Sequence, residues 1–293
     1  MNNPLIPIGT ALELSEQDNA VLLDCRWFLD GRDARSTYLE GHIPGARFLD
    51  MESVGADLSI QGRGRHPLPS VRRFADGLED LGVSQDSIVV LYDSDSGTIA
   101  ARIWWMTRQI SIESYIIAGG IQSFTGTLES GETTYSRSNI TTTKSSWDNS
   151  VTTDELIQHV SSDRRYIILD ARNQDRYLGD FEPVDPRGGH IPGSYNLPTR
   201  TLMVDGVAPL PTDEIRERIR GLIGDENYDA VTNGEAEIVV SCGSGITACH
   251  LAIFVEDALG YQPILYNGSF SAWAQRNDLP VQTGKDRGYF PVN

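Results

Sequence analysis

Apolar residues in this chain come in short unbroken runs separated by longer amphipathic stretches. Ile88-Val89-Val90-Leu91-Tyr92, Tyr115-Ile116-Ile117-Ala118, Ile238-Val239-Val240 and Ile264-Leu265-Tyr266 are too short for helices and rich in β-branched residues. Near-continuous apolar runs of this kind read as strands buried on both faces, the signature of a parallel sheet. Between them, apolar positions recur at helical spacing over Ser70 to Leu81 and over Thr212 to Ile223, and each stretch is closed by a glycine, Gly82 or Gly224. Glycine past the last periodic residue is the usual helix stop. A further helix is expected over Thr247 to Leu259. Strands alternating with helices predict an α/β protein with parallel sheets.

The pattern occurs twice. Leu22-Leu23-Asp24-Cys25-Arg26 and Gly41-His42-Ile43-Pro44-Gly45 in the first half are matched by Ile168-Leu169-Asp170-Ala171-Arg172 and Gly189-His190-Ile191-Pro192-Gly193 in the second. A period of about 150 residues is too long for a solenoid unit and indicates a duplicated domain. Ser130 to Ser150 is rich in Ser and Thr and poor in apolar residues, so it reads as the connection. The expected organisation is a domain over 1–135, a linker over 136–150 and a second domain over 151–293. Thr152-Thr153-Asp154-Glu155 carries a capping-box pattern that opens a helix at the start of the second domain. A hydrophobic content of 39 % suffices for two cores.

Lys and Arg number 24 against 41 Asp and Glu, a formal charge of −17. So acidic a surface argues against nonspecific binding to nucleic acid or anionic membranes, and an anionic substrate must find a local basic cluster. The three cysteines, Cys25, Cys242 and Cys249, form no CxxC pair and give neither a disulfide framework nor a metal site. There is no leader-like basic-then-apolar start and no apolar run long enough to span a membrane. A cytoplasmic protein without cofactor or metal is expected.

The candidate chemistry is Cys242. It ends the apolar run Ile238-Val239-Val240-Ser241 and opens the small-residue loop Gly243-Ser244-Gly245-Ile246 ahead of the helix at Thr247. Strand, cysteine, glycine loop and helix N-terminus gather backbone N–H groups and a helix dipole near one sulfur, which favours a thiolate. The first half has Asp93 at the matching place, and aspartate cannot carry sulfur. That domain is expected to serve as one wall of a shared cleft. His42 and His190 recur in both halves, one of which lacks a nucleophile, so they read as turn-packing residues; Cys25 and Cys249 read as core.

The loop Cys242-Gly243-Ser244-Gly245-Ile246-Thr247-Ala248, with two His-Ile-Pro-Gly turns in register, His66-Pro67-Leu68-Pro69 and Arg102-Ile103-Trp104-Trp105, resembles the tandem-domain rhodanese family over about residues 8–285. Within it, the loop is similar to the 3-mercaptopyruvate sulfurtransferase branch. The resemblance implies two rhodanese-like domains, each a small parallel sheet flanked by helices. It implies sulfur transfer through a Cys242 persulfide: a small-molecule donor is desulfurated, and a thiol such as thioredoxin, or cyanide, takes the sulfur. It further implies that Gly243, Gly245, Ile246 and Thr247 line the substrate site, that Arg176 and Arg187 clamp the substrate carboxylate, with Arg172 as a rival for the second place, and that Glu52, His66 and Ser244 form a proton relay. The positions after the cysteine, Gly243 and Ser244, are neutral where thiosulfate enzymes place Arg and Lys, which favours mercaptopyruvate as donor. Thiosulfate sulfurtransfer and non-catalytic persulfide carriage remain alternatives. A phosphatase of the same fold would need arginine six residues after the cysteine, where this chain has Ala248.

Overall fold

The structure, a computed structural model, describes residues 3–160 and 165–289. The first half runs β1 (Leu5–Ile6), α1 (Ile8–Ser15), β2 (Ala20–Asp24), α2 (Ala34–Glu40), β3 (Arg47–Phe48), α3 (Val71–Asp80), β4 (Ile88–Tyr92), α4 (Ala100–Gln109) and β5 (Glu113–Ile117). Its strands form one parallel sheet in the order β1-β5-β4-β2-β3. The second half runs β6 (Ser150–Val151), α5 (Thr153–Val160), β7 (Arg165–Asp170), α6 (Gln174–Leu178), β8 (Tyr195–Asn196), a small hairpin of β9 (Met203–Val204) and β10 (Ala208–Pro209), α7 (Thr212–Ile223), α8 (Asp225–Thr232), β11 (Ala236–Ser241), α9 (Thr247–Leu259), β12 (Ile264–Tyr266) and α10 (Ser269–Gln275). Its sheet has the order β6-β12-β11-β7-β8, again parallel, so the two halves share one topology.

The apolar runs take the central positions. Val89, Val90 and Leu91 of β4, and Ile238, Val239 and Val240 of β11, are fully buried, with helices covering both faces. Helix α3 buries Val71, Phe74, Ala75 and Leu78, a single face at i, i+3, i+4 and i+7. Ser70 is its N-cap, the hydroxyl accepting from Arg73 N at 3.2 Å. Helices α7 and α9 span the stretches expected from sequence. The capping box at the start of α5 is closed both ways: Glu155 Oε2 accepts from Thr152 N at 2.7 Å, and Thr152 Oγ1 from Glu155 N at 3.3 Å.

The Ser/Thr-rich connection has no regular structure before β6, yet it is strapped to the first domain. Ile140 is buried and its N–H donates to Glu79 Oε1 at 2.9 Å. Trp147 donates its indole N–H to Pro69 O at 2.6 Å. Two apolar side chains in a polar tract thus anchor it. The largest buried apolar cluster runs through both halves, with α4 packed on α9 and Arg108 paired with Glu256 across the junction. Among the described residues no helix is long and apolar enough to cross a membrane.

This symmetry fixes where chemistry can sit. β4 and β11 hold the same central place, each between two parallel neighbours, so Asp93 and Cys242 follow equivalent strand ends. Ligand sites of open α/β sheets form beyond the carboxyl ends of strands.

Candidate active site

Cys242 leaves β11 into a loop folded back on the β12–α10 corner. Its carbonyl accepts from Phe270 N at 3.0 Å, Gly243 O accepts from Ser271 N at 2.8 Å, and Cys242 N donates to Ser269 Oγ at 3.1 Å. Gly245 has φ of +82°, and a Cβ there would lie 2.4 Å from Asn267 O, so only glycine fits. That turn aims Gly245 N at the sulfur, 3.1 Å from Cys242 Sγ, just ahead of the α9 N-terminus. The other two cysteines are held as inert thiols by burial, Cys249 being pushed up to about 12.

Cys242 is 2 % exposed and lines a cavity of about 230 Å³ walled by both domains. The first domain supplies Trp27, Arg65, Asp95 and Thr98, while Ile246 and Thr247 line it from the second. The four arginines around this cavity are all paired with carboxylates. Arg200 pairs with Asp95, Arg172 with Asp170 and Glu182, Arg65 with Asp185, and Arg176 with Glu182 and Asp185. Four formal positive charges therefore meet four negative ones, and the cleft carries little excess positive charge.

His66 and Ser244, one from each domain, meet at 2.8 Å between Nδ1 and Oγ. Burial, then Arg102 and Arg65, holds the His66 imidazole down to about 3, so it is neutral at physiological pH. Glu52 does not join them. Its carboxylate accepts from the Trp27 indole N–H at 3.0 Å, and Trp27 in turn stands edge-on to His66 with ring centres 5.1 Å apart. The expected Glu52–His66–Ser244 chain is thus interrupted by an indole, which carries no exchangeable relay between carboxylate and imidazole.

Arg176 lies at the cavity: Nη2 donates to Glu182 at 2.7 Å, and Nη1 leans over Gly243, 3.3 Å from where a Cβ would sit. Gly243 is the small residue that lets it approach. Arg187 lies elsewhere. Its guanidinium donates to Ala274 O, Leu279 O, Trp273 O and Arg276 O at 2.7–3.1 Å, capping the C-terminal end of α10. A cation at a helix C-terminus meets orphan carbonyls and the negative dipole end. That structural duty replaces the expected clamp role, because the loop before the second His-Ile-Pro-Gly turn carries Arg187 onto α10. Arg172, the rival, is locked on Asp170 by a 2.6 Å ion pair and donates to Gly189 O, as Arg26 does with Asp24 and Gly41 O in the first domain. His42 and His190 stack on Tyr38 and Tyr177 and bond those residues' carbonyls through Nδ1, away from the sulfur.

Sequence reasoning missed Arg65 and Arg102. Arg102 is fully buried on α4 and donates to Gly55 O, His66 O, Gly245 O and Asn267 Oδ1, tying first-domain loops to the cysteine loop. The available signal for Arg65 was the basic run Arg63-Gly64-Arg65 in an otherwise acidic chain. At the position matching Cys242, Asp93 fills the first domain's amide nest, accepting from the N–H groups of Asp95, Gly97, Ile99 and Ala100 at 2.7–2.9 Å.

Comparison with known proteins agrees with this geometry. The model of the rhodanese-like domain family matches residues 9–127 and again 152–276. A probable 3-mercaptopyruvate sulfurtransferase of Pseudomonas aeruginosa is 37 % identical over 94 % of this chain and 95 % of its own length. A putative thiosulfate sulfurtransferase of Mycobacterium tuberculosis is 33 % identical over 94 % of this chain and 96 % of its own length. Among solved structures, the 3-mercaptopyruvate sulfurtransferase from Leishmania major superposes with a TM-score of 0.78 at 27 % identity, covering 96 % of this chain and 77 % of that one. The chain belongs to the rhodanese family, as a sulfurtransferase with two rhodanese-like domains in tandem.

Proposed function

We propose that this sulfurtransferase takes sulfur from 3-mercaptopyruvate, stores it as a persulfide on Cys242 and passes it to a thiol such as thioredoxin, or to cyanide. The observation that carries the reading is the 2.8 Å contact between the neutral His66 imidazole and the Ser244 hydroxyl beside the cysteine. Attack of the Cys242 thiolate on the donor sulfur forms an S–S bond and breaks the C–S bond. The electron pair of that bond moves onto the methylene carbon and gives the enolate of pyruvate. The donor thiol has lost a proton and the enolate carbon needs one, so the net proton moves from sulfur to carbon. A hydroxyl held by a neutral imidazole can accept one proton and supply another. Thiosulfate needs no such proton, since its leaving group departs as sulfite.

Charge supports the same donor. The residues directly after Cys242 are neutral, and the cleft arginines are already matched by carboxylates. A dianion gains little there, whereas a monoanionic keto acid needs only one directed guanidinium contact, which Arg176 Nη1 supplies. Arg176 is also compatible with the sulfonate end of thiosulfate, so slow turnover of that donor is expected. In the second step the acceptor attacks the outer sulfur and the Cys242 thiolate leaves.

The test is intact-protein mass after exposure to mercaptopyruvate without acceptor. A gain of one sulfur on Cys242, absent from Cys242→Ser, supports the mechanism. Unmodified wild-type protein, or transfer retained by the serine variant, refutes it. A kcat/KM for mercaptopyruvate at or below that for thiosulfate would refute the donor assignment.

A further inference from the structure

The cavity at Cys242 has a larger neighbour behind two of the segments that build it. A cavity of about 450 Å³, against about 230 Å³ at the cysteine, opens where the 60–68 loop of the first domain meets the connection and the start of the second domain. Arg63 lines the larger cavity, whereas Arg65 lines the smaller one and His66 holds Ser244 there. Between them Gly64, with φ of +89°, packs so closely on the β12–α10 corner that a Cβ would lie 2.6 Å from Gly268 O. Asn267 and Gly268 line the larger cavity too, and Asn267 O packs on Gly245, whose N–H points at the sulfur.

The unengaged groups in this second cavity are donors. The Arg63 guanidinium makes no hydrogen bond or ion pair among the described residues. Arginine can only donate, so Arg102 Nη1, 2.6 Å from Asn267 Oδ1, fixes the orientation of that amide. The Asn267 NH2 group is left without a partner among the described residues, as is the Ser146 hydroxyl. One carboxylate lines the cavity, that of Glu155, and its Oε2 accepts from Thr152 N at 2.7 Å. Ile60, Leu68 and Trp147 supply an apolar wall, Ile60 being 37 % exposed. An unpaired guanidinium and an amide donor beside apolar surface suit a carboxylate carried on an apolar body. Glu155 disfavours a second negative charge.

We propose that this cavity is a second ligand site, for a small monocarboxylic acid with an apolar body, and that its occupant acts on the cysteine from behind. The coupling runs through the shared walls. An acid held by Arg63 and Asn267 bridges the two domains beside the segment that carries His66 and beside the residue that backs Gly245. The sulfur donor also sits in a cavity walled by both domains. Both ligands therefore favour the same docked arrangement, and each tightens the other. The reading holds whichever donor the enzyme uses.

The experiment measures phenylacetate, with butyrate as an aliphatic probe, by calorimetry on the whole protein. One charge-assisted contact corresponds to about 10- to 100-fold in affinity. Arg63→Gln should weaken binding by about that factor, as should replacing phenylacetate by neutral phenylacetamide. Ser146→Asp, which sets a carboxylate against the ligand, should do the same, whereas Arg176→Gln, in the other cavity, should leave binding unchanged. With phenylacetate saturating, the KM of the better of the two donors, mercaptopyruvate or thiosulfate, should fall about fivefold in wild type and stay fixed in Arg63→Gln. Failure of both acids to bind, or equal binding by wild type and Arg63→Gln, would overturn the proposal. Binding lost in Arg176→Gln, or inhibition competitive with the donor, would place the acid beside Cys242 and also overturn it. Tight binding that leaves the donor's KM within about 1.5-fold would refute the coupling.

Discussion

Acid should loosen this protein through its buried histidines, and His250 allows one contribution to be isolated. It sits on α9, 1 % exposed, edge-on to Phe254 with Nδ1 3.5 Å from Thr98 Oγ1, and its Nε2 is buried without a hydrogen-bond partner. Burial, and secondarily the charge of Arg200, holds the imidazole down to about 3, against 6.5 in an unfolded chain. The sign follows from which state takes up the proton. Below 6.5 the unfolded chain binds a proton that the folded one refuses, so the stabilisation present at neutral pH is lost progressively as pH falls from 6.5 towards 3. The loss is about 1.4 kcal/mol per pH unit, or about 2 kcal/mol at pH 5. His66, held down to about 3 as well, adds a similar amount. His250→Leu removes one contribution and leaves the His66–Ser244 pair in place; His190, also held low by burial, titrates identically in both proteins. Urea unfolding between pH 7.5 and 5, followed through the exchange of α9 amides, should show the variant losing about 2 kcal/mol less than wild type. Asp95, held high by burial, titrates in the opposite sense but identically in both proteins, so it cancels. The same pH dependence in wild type and variant would refute the reasoning.

Two further substitutions separate structural from chemical duties. Arg187→Ala removes the guanidinium from four carbonyls at and just beyond the end of α10, two of which keep a backbone N–H donor, and should cost about 1–3 kcal/mol in thermal or urea unfolding. Its KM for mercaptopyruvate should stay within about twofold of wild type, and a large rise would return Arg187 to the clamp. Asp93→Ala orphans four amides, three of them buried, and should cost about 3–5 kcal/mol, whereas Asp93→Asn, which keeps an acceptor oxygen, should cost roughly half as much. Equal costs would mean that the carboxylate does not hold that nest together.

The strands and helices were legible because their burial is periodic in the sequence. A run such as Ile238-Val239-Val240 can sit only inside a two-faced parallel sheet, and α7 and α9 span the stretches their apolar spacing and terminal glycines define. The cysteine loop was legible because its glycines answer local demands: φ at Gly245 and close approach at Gly243. What the sequence hid depends on where a long side chain ends. Arg176 and Arg187 look alike as letters ahead of the second His-Ile-Pro-Gly turn, yet one leans over Gly243 and the other reaches four carbonyls at the end of α10 and just beyond it. Glu52 fell short for a related reason: the indole of Trp27, distant in sequence, takes the carboxylate before the imidazole can. Arg65 was passed over because its ion-pair partner, Asp185, lies 120 positions away in the other domain.

The two domains answer the same geometric problem differently, and the difference explains why neither suffices alone. A strand end facing a helix N-terminus leaves several N–H groups with no partner, so a hydrogen-bond acceptor must stand there. In the first domain the chain supplies its own carboxylate, Asp93, and the nest is filled by four short bonds, with no room or need for substrate. In the second the occupant is Cys242, whose sulfur accepts from Gly245 N at 3.1 Å and, more distantly, from the Ser269 hydroxyl at 4.0 Å, and faces an open cavity. The first domain also reaches across to the cysteine loop. From it come His66, which holds Ser244; Arg65, which leans over Gly243; and Arg102, whose guanidinium reaches both His66 O and Gly245 O. The nucleophile belongs to one domain and part of the wall around it to the other, so selection on the chemistry also preserves the domain that has Asp93 in place of the cysteine.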